Sequence, residues 1–476
     1  MLNITESEFN LLKNNKDAFP VICKFNGDEI TPINIFYNVE GENKIIMESV
    51  EFNEQKGRYS FIACNPYMET KSFKNDIFVK DKNSHCKFKG KIMDFVKKYM
   101  DINYNTNSLE IPFTGGAIGY AGYDVIKQYE NIRDDNEDDL KIPESYFMFY
   151  KNLICYDHLK HRLILIYNVF PEDNVSYLEI NNYFKKLYKQ ITEKIEVHNI
   201  SNNSKVAEFT SNYTKDEFCR NVKKAKEYIK NGDIFQVVLS QRLKCRTELR
   251  AFDIYRKLRY ENPSSYLFYM DFKDFQIVGS SPERLVSVHG DRVSTNPIAG
   301  TRKRGSSREE DEKLKNELIN DEKERAEHVM LVDLGRNDIG KVSEFGTVEV
   351  TKFMEVQKYS HIMHLVSEVS GKLKRGISSF DAFISCLPAG TVSGAPKIRA
   401  MEIIDEIEDK KRLLYAGAVG YFSYNKNMDT CIAIRTVVIK DNYAYIQAGG
   451  GIVYDSDPEL EYEESLNKAK ALMEVV

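Results

Sequence analysis

Thr214-Lys215-Asp216-Glu217 and, further on, Asn231-Gly232-Asp233-Ile234-Phe235-Gln236-Val237-Val238-Leu239-Ser240-Gln241-Arg242 punctuate one helix and one strand. Thr214 with Glu217 three positions later is a capping box, in which each side chain satisfies an amide that the first helical turn leaves unpaired. The helix it opens runs through Lys230, and Asn231-Gly232 stops it before a strand over residues 234–242.

Working outward, helices are expected over 309–333, 378–386, 396–408 and from 458 to the C-terminus. Strands are expected near 276–279, 284–289, 416–423, 431–439 and 443–448. Upstream, residues 57–63 and 152–156 read as strands between turns rich in Asn and Asp. Helices and strands do not alternate regularly. The pattern therefore argues for an α+β fold with antiparallel sheets rather than a doubly wound parallel sheet. The polar stretch 197–204 lacks apolar periodicity and reads as a linker, dividing the chain into residues 1–198 and 205–476. Gly116-Ala117-Ile118-Gly119-Tyr120 returns almost unchanged as Gly417-Ala418-Val419-Gly420-Tyr421. Two equivalent strands in close approach and chance similarity explain it equally well.

Composition narrows the classes of function. With 476 residues, 42% hydrophobic and 29% charged, the chain is an ordinary globular protein with room for a large core. A net charge of -5 gives no reason to expect nucleic acid or an anionic membrane as partner. No apolar run is long enough to span a bilayer and the start lacks signal-peptide character, so a cytoplasmic protein is expected. The 8 cysteines are scattered without metal-ligand spacing and read as buried free thiols.

Several constellations can carry chemistry. Glu324 and Glu327 share one face of a helix, and Glu461 with Glu464 repeats the spacing on the last one. Two such pairs would make an oxygen-rich Mg²⁺ site in which the ion keeps waters and bridges to an anion; solvated helix faces are the alternative. Strand alternation places Arg435 on the face of Cys431, Ala433 and Val437, where its guanidinium could grip a carboxylate, and a surface arginine at a strand end fits equally. Gly449, Gly450 and Gly451 could turn their amides toward an anion as a nest, or simply form a turn. His364, among apolar residues, is either a satisfied core histidine or a general acid. Gly300 to Ser307 lacks the lysine of a phosphate loop, and nucleotide binding is rejected.

Glu48-Ser49, Gly57-Arg58-Tyr59-Ser60, Gly115 to Tyr120, Ile277 to Glu283, Ala326 to Leu334, Ala389 to Lys397 and Ile452 to Ser456 together resemble one family, anthranilate synthase component I among the chorismate-utilising enzymes. The resemblance covers most of the chain. It implies an α+β sandwich of central antiparallel sheets flanked by helices. It also implies Mg²⁺ held by Glu327 and Glu464, with Glu324 and Glu461 close by or acting through water, gripping the ring carboxylate of chorismate. Arg435, Tyr415 and the backbone of Gly449 to Gly451 would meet the enolpyruvyl carboxylate, and Gly300, Thr301 and Thr391 would line the pocket. His364 would assist departure of the C4 hydroxyl as ammonia adds at C2; loss of the C2 proton then expels pyruvate.

Two positions decide the branch. Isochorismate-forming relatives place a lysine base where this chain has Gln236, and aminodeoxychorismate synthases commonly place a lysine nucleophile where it has Ala299. An amide and a methyl can do neither, which leaves direct attack by ammonia. Gly450, where anthranilate synthases more usually have alanine, keeps the aminodeoxychorismate branch as the alternative. The resemblance further implies feedback inhibition by tryptophan at Ser49, Asn262, Ser265, Tyr266 and Leu267, within a regulatory N-terminal region. With no glutaminase recognisable in the chain, ammonia is expected from a separate glutamine amidotransferase subunit, component II, in a heterotetramer.

Overall fold

A computed structural model describes residues 2–49, 57–106, 110–193, 199–200, 207–358 and 362–476. Most of the stretch read as a linker lies outside these residues. Among the described residues the strands form two 12-stranded sheets. The first runs Phe19–Asn26, Arg162–Val169, Asn152–Asp157, Tyr59–Ala63, Ile45–Glu48, Tyr266–Asp271, Gln276–Ser281, Thr436–Lys440, Tyr443–Ile452, Gln236–Arg246 and Thr210–Ser211, with Gly394–Ala395 alongside Gln236–Arg246. The second runs Ile298–Lys303, Ile362–Lys372, Arg292–Thr295, Arg284–His289, Met428–Ile432, Ala418–Ser423, Gly116–Ala121, Ser145–Tyr150, Met68–Phe73, Asp76–Asp81 and His85–Lys89, with Glu349–Lys358 on Ile362–Lys372. The ladders are antiparallel, as the irregular alternation of elements implied.

Period-two geometry builds the layers. In Tyr266–Asp271, Phe268 and Met270 join a core shared by both sheets, while Leu267 and Tyr269 join a second core under the outer helices. The inner core takes Phe61, Phe113, Tyr120, Tyr150 and Tyr421 from strands and loops of both sheets. Outside the first sheet lie the helices Glu6–Asn14, Tyr177–Thr192, Ala251–Glu261, Lys397–Ile407 and Pro458–Met473, and outside the second Ile92–Met100, Glu322–Val342 and Ser379–Cys386. The result is helices, sheet, sheet, helices.

Chain order reveals a duplication. The strands Ile45–Glu48, Tyr59–Ala63, Asn152–Asp157, Arg162–Val169 and Phe19–Asn26 follow one another outward from the middle of the first sheet. Tyr266–Asp271, Gln276–Ser281, Thr436–Lys440, Tyr443–Ile452 and Gln236–Arg246 follow the same way in the opposite direction. The second sheet repeats the arrangement about its central pair, Gly116–Ala121 and Ala418–Ser423. These are the strands of the repeated pentapeptide. They are hydrogen-bonded neighbours, with Gly119 opposite Gly420, rather than strands stacked face to face.

Three local expectations need correction. The helix expected over 309–333 is two, Arg308–Asn320 and Glu322–Val342. Asp321 breaks it by accepting the amides of Lys323 and Glu324 as N-cap of the second. The strand expected over 431–439 is also two, Met428–Ile432 in the second sheet and Thr436–Lys440 in the first, with Arg435 at φ 52° between them. Alternation from Cys431 therefore does not place Arg435. The thiols are all free, but Cys86 is exposed and only Cys23, Cys155, Cys245, Cys386 and Cys431 are buried.

A Cβ on Gly420 would stand 2.2 Å from the Asp429 carbonyl oxygen, and one on Gly119 1.9 Å from that of Tyr146. Backbone atoms in a central ladder cannot give way. Gly420→Ala is expected to lower unfolding free energy by about 3 kcal/mol, read from the urea midpoint; an unchanged midpoint would refute the close approach.

Candidate active site

The site forms where the chain crosses between sheets. One crossing leads from Gln276–Ser281 to Arg284–His289 and carries Glu283; the other leads from Met428–Ile432 to Thr436–Lys440 and carries Arg435. The two are stitched together: Ser280 N–H donates to Arg435 O at 3.0 Å, Ile432 N–H to Glu283 O at 3.0 Å, and the Ser281 hydroxyl to Ile432 O at 2.7 Å. Arg435 is half-buried with one guanidinium N–H on Lys468 O at 2.5 Å, and desolvation, only partly offset by Tyr415, lowers its pKa.

Carboxylates converge beside it. Gln236 donates its amide to Glu327 Oε1 at 3.2 Å. Burial raises the Glu327 pKa, and Glu324 and Glu464 push the same way. Burial likewise raises Glu461, with Glu464 adding to it. Glu461 Oε2 and Gln236 Oε1 are buried without a hydrogen-bond partner among the described residues. As they stand, no three or more acidic, histidine or cysteine side chains among the described residues are close enough together to hold a metal ion. Two facing helical pairs make an open set of oxygens, which suits an ion that retains water.

The glycine run is not a nest. Gly449, Gly450 and Gly451 continue the strand Tyr443–Ile452 and pair with Ser240, Leu239 and Val238. Its ladder to Thr436–Lys440 ends at Val437 opposite Ile446, so beyond that point one edge has no strand partner among the described residues. Missing side chains create the space. A Cβ on Gly450 would lie 3.0 Å from Glu461 Oε2 and 3.6 Å from Glu464 Oε1, and one on Gly451 2.4 Å from Gln236 Nε2.

On the opposite wall, Gly300 sits at φ 70° in a bulge between Ala299 and Thr301, a conformation that glycine adopts without strain. The bulge brings the Gly300 carbonyl and the Thr301 hydroxyl each within 3.0 Å of His364 Nδ1. Burial lowers the His364 pKa, and Arg435 and Lys468 lower it further. The imidazole is therefore neutral near pH 7, with Nδ1–H donating to Gly300 O. Tyr415, also buried, neighbours Arg435, and burial pushes its phenol up to about 12.

Two residues escaped the sequence reading. Glu283 is 6% exposed, and burial pushes its carboxyl up to about 8 against the pull of the Thr391 hydroxyl and the Ile298 amide. A lone acid closing the otherwise apolar and small Ile277-Val278-Gly279-Ser280-Ser281-Pro282-Glu283 was the available signal. Lys468 pairs with Glu464 at 2.7 Å and donates to Gly449 O at 3.2 Å. Its i,i+4 spacing from Glu464 on the last helix could have found it.

A separate cavity of about 150 Å³, open at its mouth, lies between the sheets. Ser49, Ser265 and Tyr266 line it with Glu48, Arg58 and Arg284. Leu267 does not, because alternation turns it into the outer core, and Asn262 ends the helix Ala251–Glu261, its carbonyl accepting the Ser280 hydroxyl. Pro282 and Arg284 line this cavity from either side of Glu283 in the chain, whereas Glu283 lines a smaller one with Thr391, which Arg284 also borders.

The sandwich and this arrangement define a chorismate-binding enzyme: the model of that family matches residues 47–474. Anthranilate synthase component 1 of Acetivibrio thermocellus is 48% identical over 99% of this chain and 98% of its own length. That of Lactococcus lactis subsp. lactis is 46% identical over 95% and 99%. The crystal structure of anthranilate synthase component I from Streptococcus pneumoniae TIGR4 superposes with a TM-score of 0.79 at 40% identity, covering 94% of this chain and 98% of that one. The menaquinone-specific isochorismate synthase MenF of Escherichia coli, at 18% identity and a TM-score of 0.73 over 98% of both chains, shares the fold. Within the chorismate-binding enzymes, the chain belongs to the anthranilate synthase component 1 family.

A carboxyl whose folded pKa is raised stabilises the fold below its unfolded pKa and loses that contribution as pH climbs through the folded value. For Glu283 the window runs from the ordinary carboxyl value of 4.5 to about 8. Glu283→Gln, which cannot ionise, is expected to gain stability over the parent progressively from about pH 5 to about pH 8 in urea titrations. A difference independent of pH would show Glu283 to be an ordinary exposed acid.

Proposed function

We propose that this chain aminates chorismate with ammonia and eliminates pyruvate to give anthranilate. The observation that carries this reading is Gln236, whose amide faces the Glu327 carboxylate where a base would be needed to activate water. Ala299 offers no nucleophile on the opposite wall. With neither group available, ammonia itself must attack.

Arg435 and Lys468 hold the enolpyruvyl carboxylate, with the free edge of Gly449 to Gly451 and the Tyr415 hydroxyl as donors. Glu327 and Glu464 would hold Mg²⁺, with Glu324 and Glu461 close by; when bound, the ion would supply positive charge to the ring carboxylate. The unpartnered Glu461 oxygen and the space left by Gly450 support that assignment. Glu283, protonated at neutral pH, gives its proton to the departing C4 hydroxyl, and Thr391 orients it. His364, neutral, orients Thr301 rather than serving as the acid. Much of the rate then comes from holding a dianion in register.

In this reading the protein works in the cytoplasm, as one half of a heterotetramer in which a glutamine amidotransferase, component II, delivers ammonia. The cavity beside Ser265 and Tyr266 takes tryptophan as feedback inhibitor. Its Glu48, Asp429, Arg58 and Arg284 offer both signs of charge, as an amino-acid zwitterion requires.

Purified protein given chorismate, Mg²⁺ and ammonium is expected to release anthranilate and pyruvate in equal amounts, and Glu327→Gln to lower turnover by about 10²–10³-fold. Aminodeoxychorismate without pyruvate would move the chain to the other branch. Because the chain has 0 Trp residues, the fluorescence of added tryptophan reports the ligand alone. Its emission is expected to shift on binding as activity falls; an unshifted spectrum with unaltered activity would remove the inhibitor from this cavity.

A further inference from the structure

Arg412 lies outside every constellation above, yet its guanidinium is almost fully buried and satisfied on all sides. Nε and Nη2 donate to the two oxygens of Glu408 at 2.8 and 2.6 Å. Nη1 donates to the Val392 carbonyl at 2.8 Å and Nη2 to that of Val238 at 2.7 Å. Val392 follows Thr391 in a short 3₁₀ turn, and Val238 stands two residues beyond Gln236 on its strand. Glu408 Oε1 in turn accepts the amide and hydroxyl of Ser240 at 2.8 and 2.9 Å. The rings of Tyr123 and Tyr415 flank the guanidinium at 4.8 and 5.6 Å.

A guanidinium is planar, and its donors leave in fixed directions. Bonds from one such plane to Val392, Val238 and Glu408 therefore fix three chain segments relative to each other. Two of them carry groups assigned above to opposite sides of the reaction, Gln236 where ammonia approaches and Thr391 beside the proton donor Glu283. A short ladder, with Phe235 N–H on Ala395 O at 2.8 Å and Val238 N–H on Ser393 O at 2.9 Å, already ties the strand of Gln236 to the residues that follow the turn, whereas Arg412 reaches the turn itself through the Val392 carbonyl. Arg435, Lys468 and the four carboxylates stand on other elements.

We infer that Arg412 is a positioning residue for the amination, setting the distance between the ammonia side and the leaving-group side of the pocket without touching substrate. This rests on the proposed function. It separates binding from turnover: losing the fork leaves Arg435, Lys468 and the four carboxylates in place, a lysine keeps a cation near the Tyr415 ring, and the reacting geometry loosens.

Arg412→Lys keeps the charge and removes the fork. Calorimetric titration with chorismate and Mg²⁺, ammonium omitted, gives the number of competent sites and their Kd; turnover with ammonium is then expressed per competent site. The expected result is a Kd within about threefold of the parent and a kcat lower by about 10–100-fold. Lys127→Met, which breaks the buried pairs of Lys127 with Asp124 and Asp405, controls for lost stability and should keep kcat per site. Should Arg412→Lys not fold, Glu408→Gln is read for the same split. A kcat per site within threefold of the parent, or a Kd that weakens in step with kcat, overturns the inference. A parent that makes no anthranilate overturns instead the function on which it rests.

Discussion

The crossing of the chain between its two sheets is the constraint on which the site depends. A strand cannot leave one sheet for another without giving up ladder partners, and buried amides and carbonyls must find new ones. Here the two crossings satisfy each other, through Ser280 to Arg435 and Ile432 to Glu283. Because neither can shift without the other, an acid held neutral and a half-buried cation are fixed in one place. The left-handed backbone at Arg435 is the local cost of turning so sharply with a residue other than glycine.

Like charges make the same demand from the other side. Glu327 and Glu461 are each raised by burial and by neighbouring carboxylates, an arrangement that folding alone would not select. Lys468 offsets part of it by pairing with Glu464 while also supporting Gly449. The two helices that bear the acids pack against different sheets, so the sandwich brings the pairs together although the chain separates them by more than a hundred residues.

Much of this could be read in the sequence where physics is local. The Thr214–Glu217 capping box and the antiparallel class follow from signals a few residues long, and the family resemblance named most residues of the candidate site. What could not be read was set by distant partners. Asp321 breaks a helix whose periodicity runs on because its carboxylate prefers to cap. The apolar run around Arg435 looks like one strand because both sheets bury the same residue types. Glu283 looks like a surface acid at a turn until a second crossing covers it. Leu267, which the resemblance groups with Ser265 and Tyr266, turns instead into the outer core because alternation along its strand sends it there.

The duplication bears on how the protein comes into being on the ribosome. In each sheet the N-terminal half ends on a strand whose partner belongs to the C-terminal half: Ile45–Glu48 awaits Tyr266–Asp271, and Gly116–Ala121 awaits Ala418–Ser423. At about 5–20 residues per second, the first of these edges stays bare for roughly 10–40 s and the second for longer. The emerging half thus exposes two flat, apolar strand edges that offer their hydrogen bonds to any neighbouring chain. Two copies emerging side by side on one messenger would present each other with near replicas of the missing partner.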